Sequence, residues 1–376
     1  MKFIHLADLH LGRRISGYDL LEEQKDGLEQ VLRAIDEHHT DGVLIAGDVY
    51  DTTTPSAEAV HLLDWFLNQL YERNQEVFII SGNHDSAARL DFGRTLMDPS
   101  GIHIGGIYQG EVPYYDLEND REKVRIHLMP FIKPGHVARA LEQPVDGWSD
   151  AFGMALSRAN LDPNACNILL AHQFFSGGKL SDSEENYVGT LQEISTRTLE
   201  PFQYAALGHL HGPQSVKEER FRYPGTLLKY SLAEATQNKS LTMIETQPDH
   251  SVTIEELSLK LKRDLIVLKG SFEELISPQF ARTQNPENFF SIQLTDREEV
   301  FQALDRLRRI YPRILNLEYE QLENTHTLDE YSKASARKAT PEEIFADFFE
   351  LQMGHELDPE DRDIIMESWR NVNEAD

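Results

Sequence analysis

Gly42-Val43-Leu44-Ile45-Ala46-Gly47-Asp48-Val49-Tyr50-Asp51 decides how this chain is to be read. Five residues with no polar side chain are too few for a helix and predict a short strand buried on both faces. A glycine and an aspartate follow it directly. The same pattern lies on either side. Lys2–Ala7 reads as a strand and runs into Asp8-Leu9-His10; Val77–Ile80 reads as another and runs into Gly82-Asn83-His84-Asp85. Helical spacing fills the gaps. Leu21, Gln24, Leu28, Val31, Leu32 and Ile35 follow a capping-box pattern at Asp19-Leu20-Leu21-Glu22, and Ser56–Tyr71 predicts a second helix. Short apolar strands alternating with helices argue for an α/β protein with parallel strands.

The pattern continues and then changes. Val124–Met129, Asn167–Ala171 and Tyr204–Leu207 predict further strands. After Gly212, Phe221–Tyr223, Ser240–Glu245 and Val252–Leu257 read as consecutive antiparallel strands. Beyond residue 260, strands at Leu265–Gly270, Phe289–Leu294 and Ile314–Tyr319 with a helix over Arg297–Ile310 make a small α+β unit. Asn324–Ala339 is polar and reads as a linker. Thr340-Pro341-Glu342-Glu343 and Asp358-Pro359-Glu360-Asp361 each start a helix.

Five polar clusters fall after five apolar strands: the three above, His172, and Gly208-His209-Leu210-His211. Open α/β sheets place ligands at this edge. Asp8, His10, Asp48, Asn83, His172, His209 and His211 offer oxygen and nitrogen donors and no thiolate, a set that suits manganese, zinc or iron. Seven donors exceed one tetrahedral site and suit two ions sharing a carboxylate. Gly47, Gly82 and Gly208 are expected to turn the chain sharply off each strand. Any one cluster could be an ordinary turn; the ordered set of five carries the reading. His5, inside the first strand, is expected at most to support the site from behind.

The order DxH, GDxxD, GNHD, H, GHxH resembles the calcineurin-like metallophosphoesterase superfamily. His5–Gly12, Ala206–Gln214, Tyr223-Pro224-Gly225-Thr226 and Pro341–Phe349 are similar to its branch of bacterial SbcD nuclease subunits, relatives of the archaeal and eukaryotic double-strand-break-repair nuclease. The resemblance implies mixed β-sheets flanked by helices over residues 1–260, a DNA-facing α+β capping domain over 261–322, and a linker with C-terminal helices over 323–376. It implies that Asp8, His10, Asp48 and His211 hold one divalent ion and Asp48, Asn83, His172 and His209 the other. Manganese is the implied metal, with magnesium a weaker substitute. His84 resembles the residue that contacts the scissile phosphate and protonates the leaving oxygen. The implied activity is 3′-5′ exonuclease action on duplex ends and endonuclease action on single strands and hairpins. The implied partners are DNA, a coiled-coil ATPase of the SbcC type docked by the stripe Ile344, Phe345, Phe348, Phe349 and Leu351, and a second copy. Dimerisation would use the helix after Asp51, where Val60, Leu62, Leu63, Trp65, Phe66, Leu67, Leu70 and Tyr71 cover more than one face. Ala7 departs from the Ser or Thr frequent before the first aspartate. Asp51 stands where some relatives have a histidine, and is expected to orient a histidine ligand.

Composition qualifies this. The 376 residues carry 64 acids against 36 bases, a net charge of −28, which opposes bulk electrostatic attraction to nucleic acid. The last 36 residues alone account for −10, in the segment assigned to a protein partner. Arg13, Arg14, Arg89, Arg94 and Lys179 are the bases near the motifs and candidates for phosphate contacts. One cysteine, Cys166, fits a reducing compartment, and no apolar stretch is long enough for a signal peptide or membrane span. A cytoplasmic, nucleoid-associated location is the expectation. A phosphoesterase for cyclic nucleotides and a non-catalytic DNA-end binder are the competing readings. The residues beyond 260 argue against the first, and the complete donor set against the second.

Overall fold

The computed structural model describes residues 1–179 and 193–320. The described residues form two compact units, one of residues 1–267 with 287–291, the other of 268–286 with 292–320.

The first unit starts with β1 (Lys2–Leu6), a short hairpin β2 (Arg14–Ile15) and β3 (Tyr18–Asp19), α1 (Leu21–His38), β4 (Gly42–Ala46), α2 (Ala57–Glu72), β5 (Glu76–Ile80), the short helices α3 (Ala87–Leu90) and α4 (Arg94–Met97), and β6 (Ile102–Gly105). It continues through β7 (Tyr114–Glu118), β8 (Lys123–Met129), α5 (Pro134–Leu141), α6 (Gly147–Leu156), β9 (Cys166–His172), β10 (Tyr204–Gly208), β11 (Gln214–Val216), β12 (Glu218–Tyr223), β13 (Ser240–Thr246) and β14 (Val252–Ser258).

Apart from β2 and β3, which pair only with each other, these strands build two six-stranded mixed sheets, ordered β14-β13-β1-β4-β5-β6 and β11-β12-β10-β9-β8-β7. β1, β4, β5 and β6 run parallel, and β13 joins β1 antiparallel. In the second sheet β8, β9, β10 and β12 run parallel. Alternate residues of each strand face opposite cores. Ile168 and Leu170 join Phe3, Leu44, Phe78 and Ile80 in one buried cluster drawn from both sheets, while Leu169 and Ala171 lie with Phe152 and Ala155 of α6 in another. A strand covered on both faces has no polar position to spare, hence its continuous apolar run. His5 donates to or accepts from the Tyr204 hydroxyl at 2.9 Å, bridging β1 and β10; it supports the sheet-to-sheet packing and reaches no cluster residue.

Three local expectations are corrected. Asp19 does not cap α1 through a capping box: Leu20 occupies the cap position, Asp19 accepts the Leu21 N–H at 2.8 Å, and Glu22 pairs with Lys262 and Arg263. Phe221–Tyr223 does not pair with β13; it ends β12, in the other sheet. The third lies in the second unit.

From Leu265 the chain forms β15 (Leu265–Gly270), α7 (Phe272–Ile276), α8 (Pro278–Ala281), β16 (Phe289–Leu294), α9 (Ala303–Arg308) and β17 (Arg313–Tyr319), with a sheet ordered β15-β16-β17; α7, α8, α9 and β17 lie in the second unit. The helix expected over Arg297–Ile310 is confined to α9. Gln302 takes a left-handed φ of 49° and the Val300 N–H goes to the Tyr319 hydroxyl at 3.0 Å, so the helix cannot begin earlier. The linker and C-terminal helices expected over 323–376 lie outside the described residues.

Candidate metal centre

The carboxyl ends of β1, β4 and β5 in one sheet and of β9 and β10 in the other converge, and the backbone ties them together. The Asp8 N–H reaches the Gly47 carbonyl at 3.0 Å, and the His10 N–H the Asp48 carbonyl at 3.0 Å. The His209 N–H donates to the Asp8 carboxylate at 3.0 Å, across the two sheets. The His84 N–H donates to Asp48 Oδ1 at 2.8 Å.

The glycines behave differently from the expected sharp turns. Only Gly47 has a left-handed φ, of 87°; Gly82 and Gly208 are required by close approach. A Cβ on Gly82 would lie 2.1 Å from Asp48 Oδ1, and one on Gly208 would lie 1.9 Å from the Ala46 carbonyl oxygen.

All seven expected donors are brought together. Donor atoms of Asp8, His10 and His211 lie within 4.8 Å of one another, as do those of Asp8, Asp48 and His172. His10 Nε2 and His211 Nε2 face each other at 3.2 Å. Asn83 Oδ1 lies 3.0 Å from His172 Nε2 and 3.0 Å from His209 Nδ1. Asp48 Oδ2 sits among the rings, 3.4 Å from His172 Nε2 and 3.7 Å from His10 Nε2. Asp8, His10, Asp48, His172 and His211 are buried; Asn83 and His209 are half-buried. This crowd of inward-facing lone pairs, with two carboxylates at its centre, fits divalent cations and no organic cofactor.

The electrostatics follow from burial. Burial pushes Asp8 up to about 7, against the pull of His172 and His211. Burial works the same way on Asp48, but His172, His10 and His84 overcome it and hold Asp48 below the carboxylate range. His10 is held down to about 4 and His209 to about 3 by burial, keeping their rings neutral as ligands must be. Burial opposes charge on His172 too, yet Asp48 and Asp8 raise it to about 9.

His84 lies beside the donors rather than among the most buried of them, its side chain 23% exposed. Its Nδ1 faces the Asp51 carbonyl at 3.1 Å and its Nε2 is 4.0 Å from Asp48 Oδ2. Asp51 Oδ1 faces His10 Nδ1 at 3.4 Å and accepts from Arg13 at 2.8 Å. Of the candidate bases, Arg13 packs here. Arg14 donates to the Gly17 carbonyl, Arg94 pairs with Asp91 at 3.5 Å, and Arg89 and Lys179 are exposed.

Sequence reasoning left out the supports. Asp85 is buried and accepts the N–H groups of Val49, Tyr50 and Gly82 at 2.9–3.1 Å, bolting the second cluster to the third. Gln24 holds the His10 carbonyl at 2.7 Å, and the Tyr230 hydroxyl holds the Leu9 carbonyl at 2.6 Å. Asp85 had a local signal in its Gly-Asn-His-Asp context. Gln24 and Tyr230 had none.

A calcineurin-like phosphoesterase model matches residues 1–213, and a type 5 capsule protein repressor C-terminal domain model matches residues 261–353. The D subunit of nuclease SbcCD from Staphylococcus epidermidis is 30% identical over 357 residues, 93% of this chain and 92% of that protein. Two solved structures are more distant. A Thermus thermophilus protein is 11% identical over 68% of this chain and 98% of its own, with a TM-score of 0.37. A dimetal phosphatase from Danio rerio is 11% identical over 69% of this chain and 98% of its own, with a TM-score of 0.38. No helix among the described residues is long and apolar enough to cross a membrane. With the five strand ends and their donors arranged as described, the chain belongs to the calcineurin-like phosphoesterase family, in the SbcD branch, and is a phosphodiester hydrolase that uses two divalent ions.

Proposed function

We propose that this chain is the nuclease subunit of an SbcCD-type complex and hydrolyses DNA phosphodiester bonds with manganese. The observation that carries the reading is the meeting of seven oxygen and nitrogen donors at five strand ends from two sheets. Asp8, His10, Asp48 and His211 hold one ion and Asp48, Asn83, His172 and His209 the other, with Asp48 shared. When bound, the two ions supply the positive charge that stabilises the phosphate oxygens and acidify the attacking water.

The chain's own groups do the rest. Asp85 and the Asp8–His209 contact hold the donors rigid, so little reorganisation is needed at reaction. His84 is the general acid. Its Nδ1–H is engaged by the Asp51 carbonyl, so protonated Nε2 is the end that can serve the leaving 3′-oxygen. Its partial exposure leaves room for a substrate beside it. Arg13, held by Asp51, is the base best placed to meet a phosphate.

The assembly reading is likewise ours. On α2, Ala59, Leu62, Phe66 and Leu70 are buried while Val60 is 43% and Tyr71 56% exposed; Phe92 and Leu96, after the third cluster, are 81% and 84% exposed. Single exposed apolar residues are ordinary, but four of this size suit a surface covered by a second copy. Residues 261–322 face the DNA, residues 323–376 dock an SbcC-type coiled-coil ATPase, and the complex works at the nucleoid in the cytoplasm. Incubating the chain with Mn2+ and end-labelled duplex, hairpin and cyclic-nucleotide substrates, with and without the ATPase, tests the proposal. Turnover of cyclic nucleotides alone would replace it with the small-molecule phosphoesterase reading.

A further inference from the structure

We infer that the buried Glu234–Lys239 pair is the positioning device for His211, fixing which imidazole nitrogen it presents to the centre and so the hold on one of the two ions. This rests on the metal-centre reading above.

Three histidines turn Nε2 inward and have Nδ1 near an acceptor, in hydrogen-bond geometry for His172 and His211 and as a close approach for His10. His172 Nδ1 faces the Ala46 carbonyl at 2.8 Å, His10 Nδ1 faces Asp51 Oδ1 at 3.4 Å, and His211 Nδ1 faces Glu234 Oε1 at 3.4 Å. A carboxylate accepts only, so it favours the tautomer with a proton on Nδ1 and a lone pair on Nε2, and it raises the basicity of that lone pair. Asp51 belongs to a sequence motif. Glu234 lies 23 residues beyond His211 and belongs to none.

A fully buried carboxylate is costly without a counter-charge. Lys239 supplies it: Nζ lies 2.6 Å from Glu234 Oε2, and both side chains have no exposure. The same Nζ donates to the His211 carbonyl at 3.1 Å and to Thr226 Oγ1 at 2.7 Å, and the Thr226 N–H also reaches the His211 carbonyl at 3.1 Å. The ring and the main chain of His211 are thus gripped by one ion pair.

The test uses the full chain, stripped by chelator and titrated with Mn2+ by calorimetry and electron paramagnetic resonance. The parent should bind two ions. Glu234→Gln keeps the volume and loses the charge; it should bind one ion as the parent does and the other about 10–100-fold more weakly, showing an isolated-ion spectrum where the parent shows a coupled pair. Its metal-free melting temperature should fall below the parent's, because Lys239 is left buried without its counter-charge. If that variant does not fold, the double variant Glu234→Met, Lys239→Met, which removes both charges together, should show the same selective weakening. Two ions bound with parental affinity would overturn this inference alone. Loss of both ions in Glu234→Met, Lys239→Met with a lowered metal-free melting temperature would also overturn it, marking the pair as a fold brace. A parent that binds fewer than two ions would overturn it together with the metal-centre reading.

Discussion

Replacing Gly208 by alanine would drive a methyl group into the seam between the two sheets. The new Cβ would lie 1.9 Å from the Ala46 carbonyl oxygen and 2.8 Å from His172 Nδ1. Neither neighbour is a flexible side-chain tip. Ala46 ends β4, and His172 is held to that same carbonyl by a 2.8 Å hydrogen bond. Relieving the overlap to even 3.0 Å requires an opening of about 1.1 Å between β4 and β10. Overpacking of this kind costs about 1–3 kcal/mol. If His172 loses its acceptor, an unmet buried donor adds about 1–3 kcal/mol. A combined loss of roughly 2–6 kcal/mol is therefore expected in the unfolding free energy measured with urea. Function should suffer more sharply. A shift of about 1 Å in a reacting constellation can cost on the order of 100-fold in rate, and the strand ends carrying His172 and His209 are the parts that move. Hydrolysis of bis-p-nitrophenyl phosphate with Mn2+ and calorimetric Mn2+ titration are the assays. Parental stability, ion affinity and turnover in Gly208→Ala would refute close approach as the reason for that glycine.

His84→Ala should retain both ions by elemental analysis while kcat falls about 10²–10⁴-fold; unchanged turnover would remove its role as acid. Asp85→Asn replaces one acceptor oxygen with an amide N–H donor facing backbone N–H groups, so it should destabilise by about 1–3 kcal/mol in urea unfolding, and an unchanged midpoint would deny the bracing role. His127 is wholly buried in β8 and burial holds it down to about 4. The unfolded chain, with an ordinary histidine near 6.5, takes up that proton first as pH falls. Stability is thus full above pH 6.5 and lost toward pH 4, by roughly 2 kcal/mol between 6.5 and 5. His127→Gln should flatten that part of the urea-midpoint profile against pH, and parallel profiles for variant and parent would contradict the assignment.

What was legible in the sequence was whatever is written locally. A run such as Gly42–Ala46 must be buried on both faces, and a polar cluster after it must lie at a strand end; five repetitions suffice to bring Asp8, His10, Asp48, Asn83, His172, His209 and His211 to one edge. Pairing is not written locally. Phe221–Tyr223 and Ser240–Thr246 carry similar strand patterns, and only their distant partners, β10 for one and β1 for the other, sort them into different sheets. The supports were hidden for the same reason. Glu234 and Lys239 look like ordinary surface charges, and nothing short of the fold reveals that both are sealed beside His211. Gly82 and Gly208 were readable as glycines that matter but not why, because a neighbour such as Asp48 or Ala46 lies far off in sequence.

The backbone at the centre ties ion binding to folding. Asp8, His10, Asp48 and His209 have φ values of 53°, 44°, 49° and 113°. Left-handed conformations cost on the order of 1–3 kcal/mol for residues with a Cβ, toward the low end for Asp and His, so the four together oppose the fold by roughly 4 kcal/mol. The burial of Asp8 and Asp48 side by side adds to this. Both effects act in the native state alone, and divalent ions seated among these groups offset both. The unfolded chain has no such array, so the ions should bind it far more weakly. At 100 times its dissociation constant, each ion adds about 2.7 kcal/mol of stability. For a unit of this size that corresponds to roughly 5–10 °C in melting temperature per ion. The chelated chain should therefore melt well below the Mn2+-saturated one, and Asp8→Ala or His211→Ala should lose close to half of the difference. An unchanged transition on adding Mn2+ would mean that the ions do not distinguish folded from unfolded chain, and would leave four left-handed ligand residues without a cause.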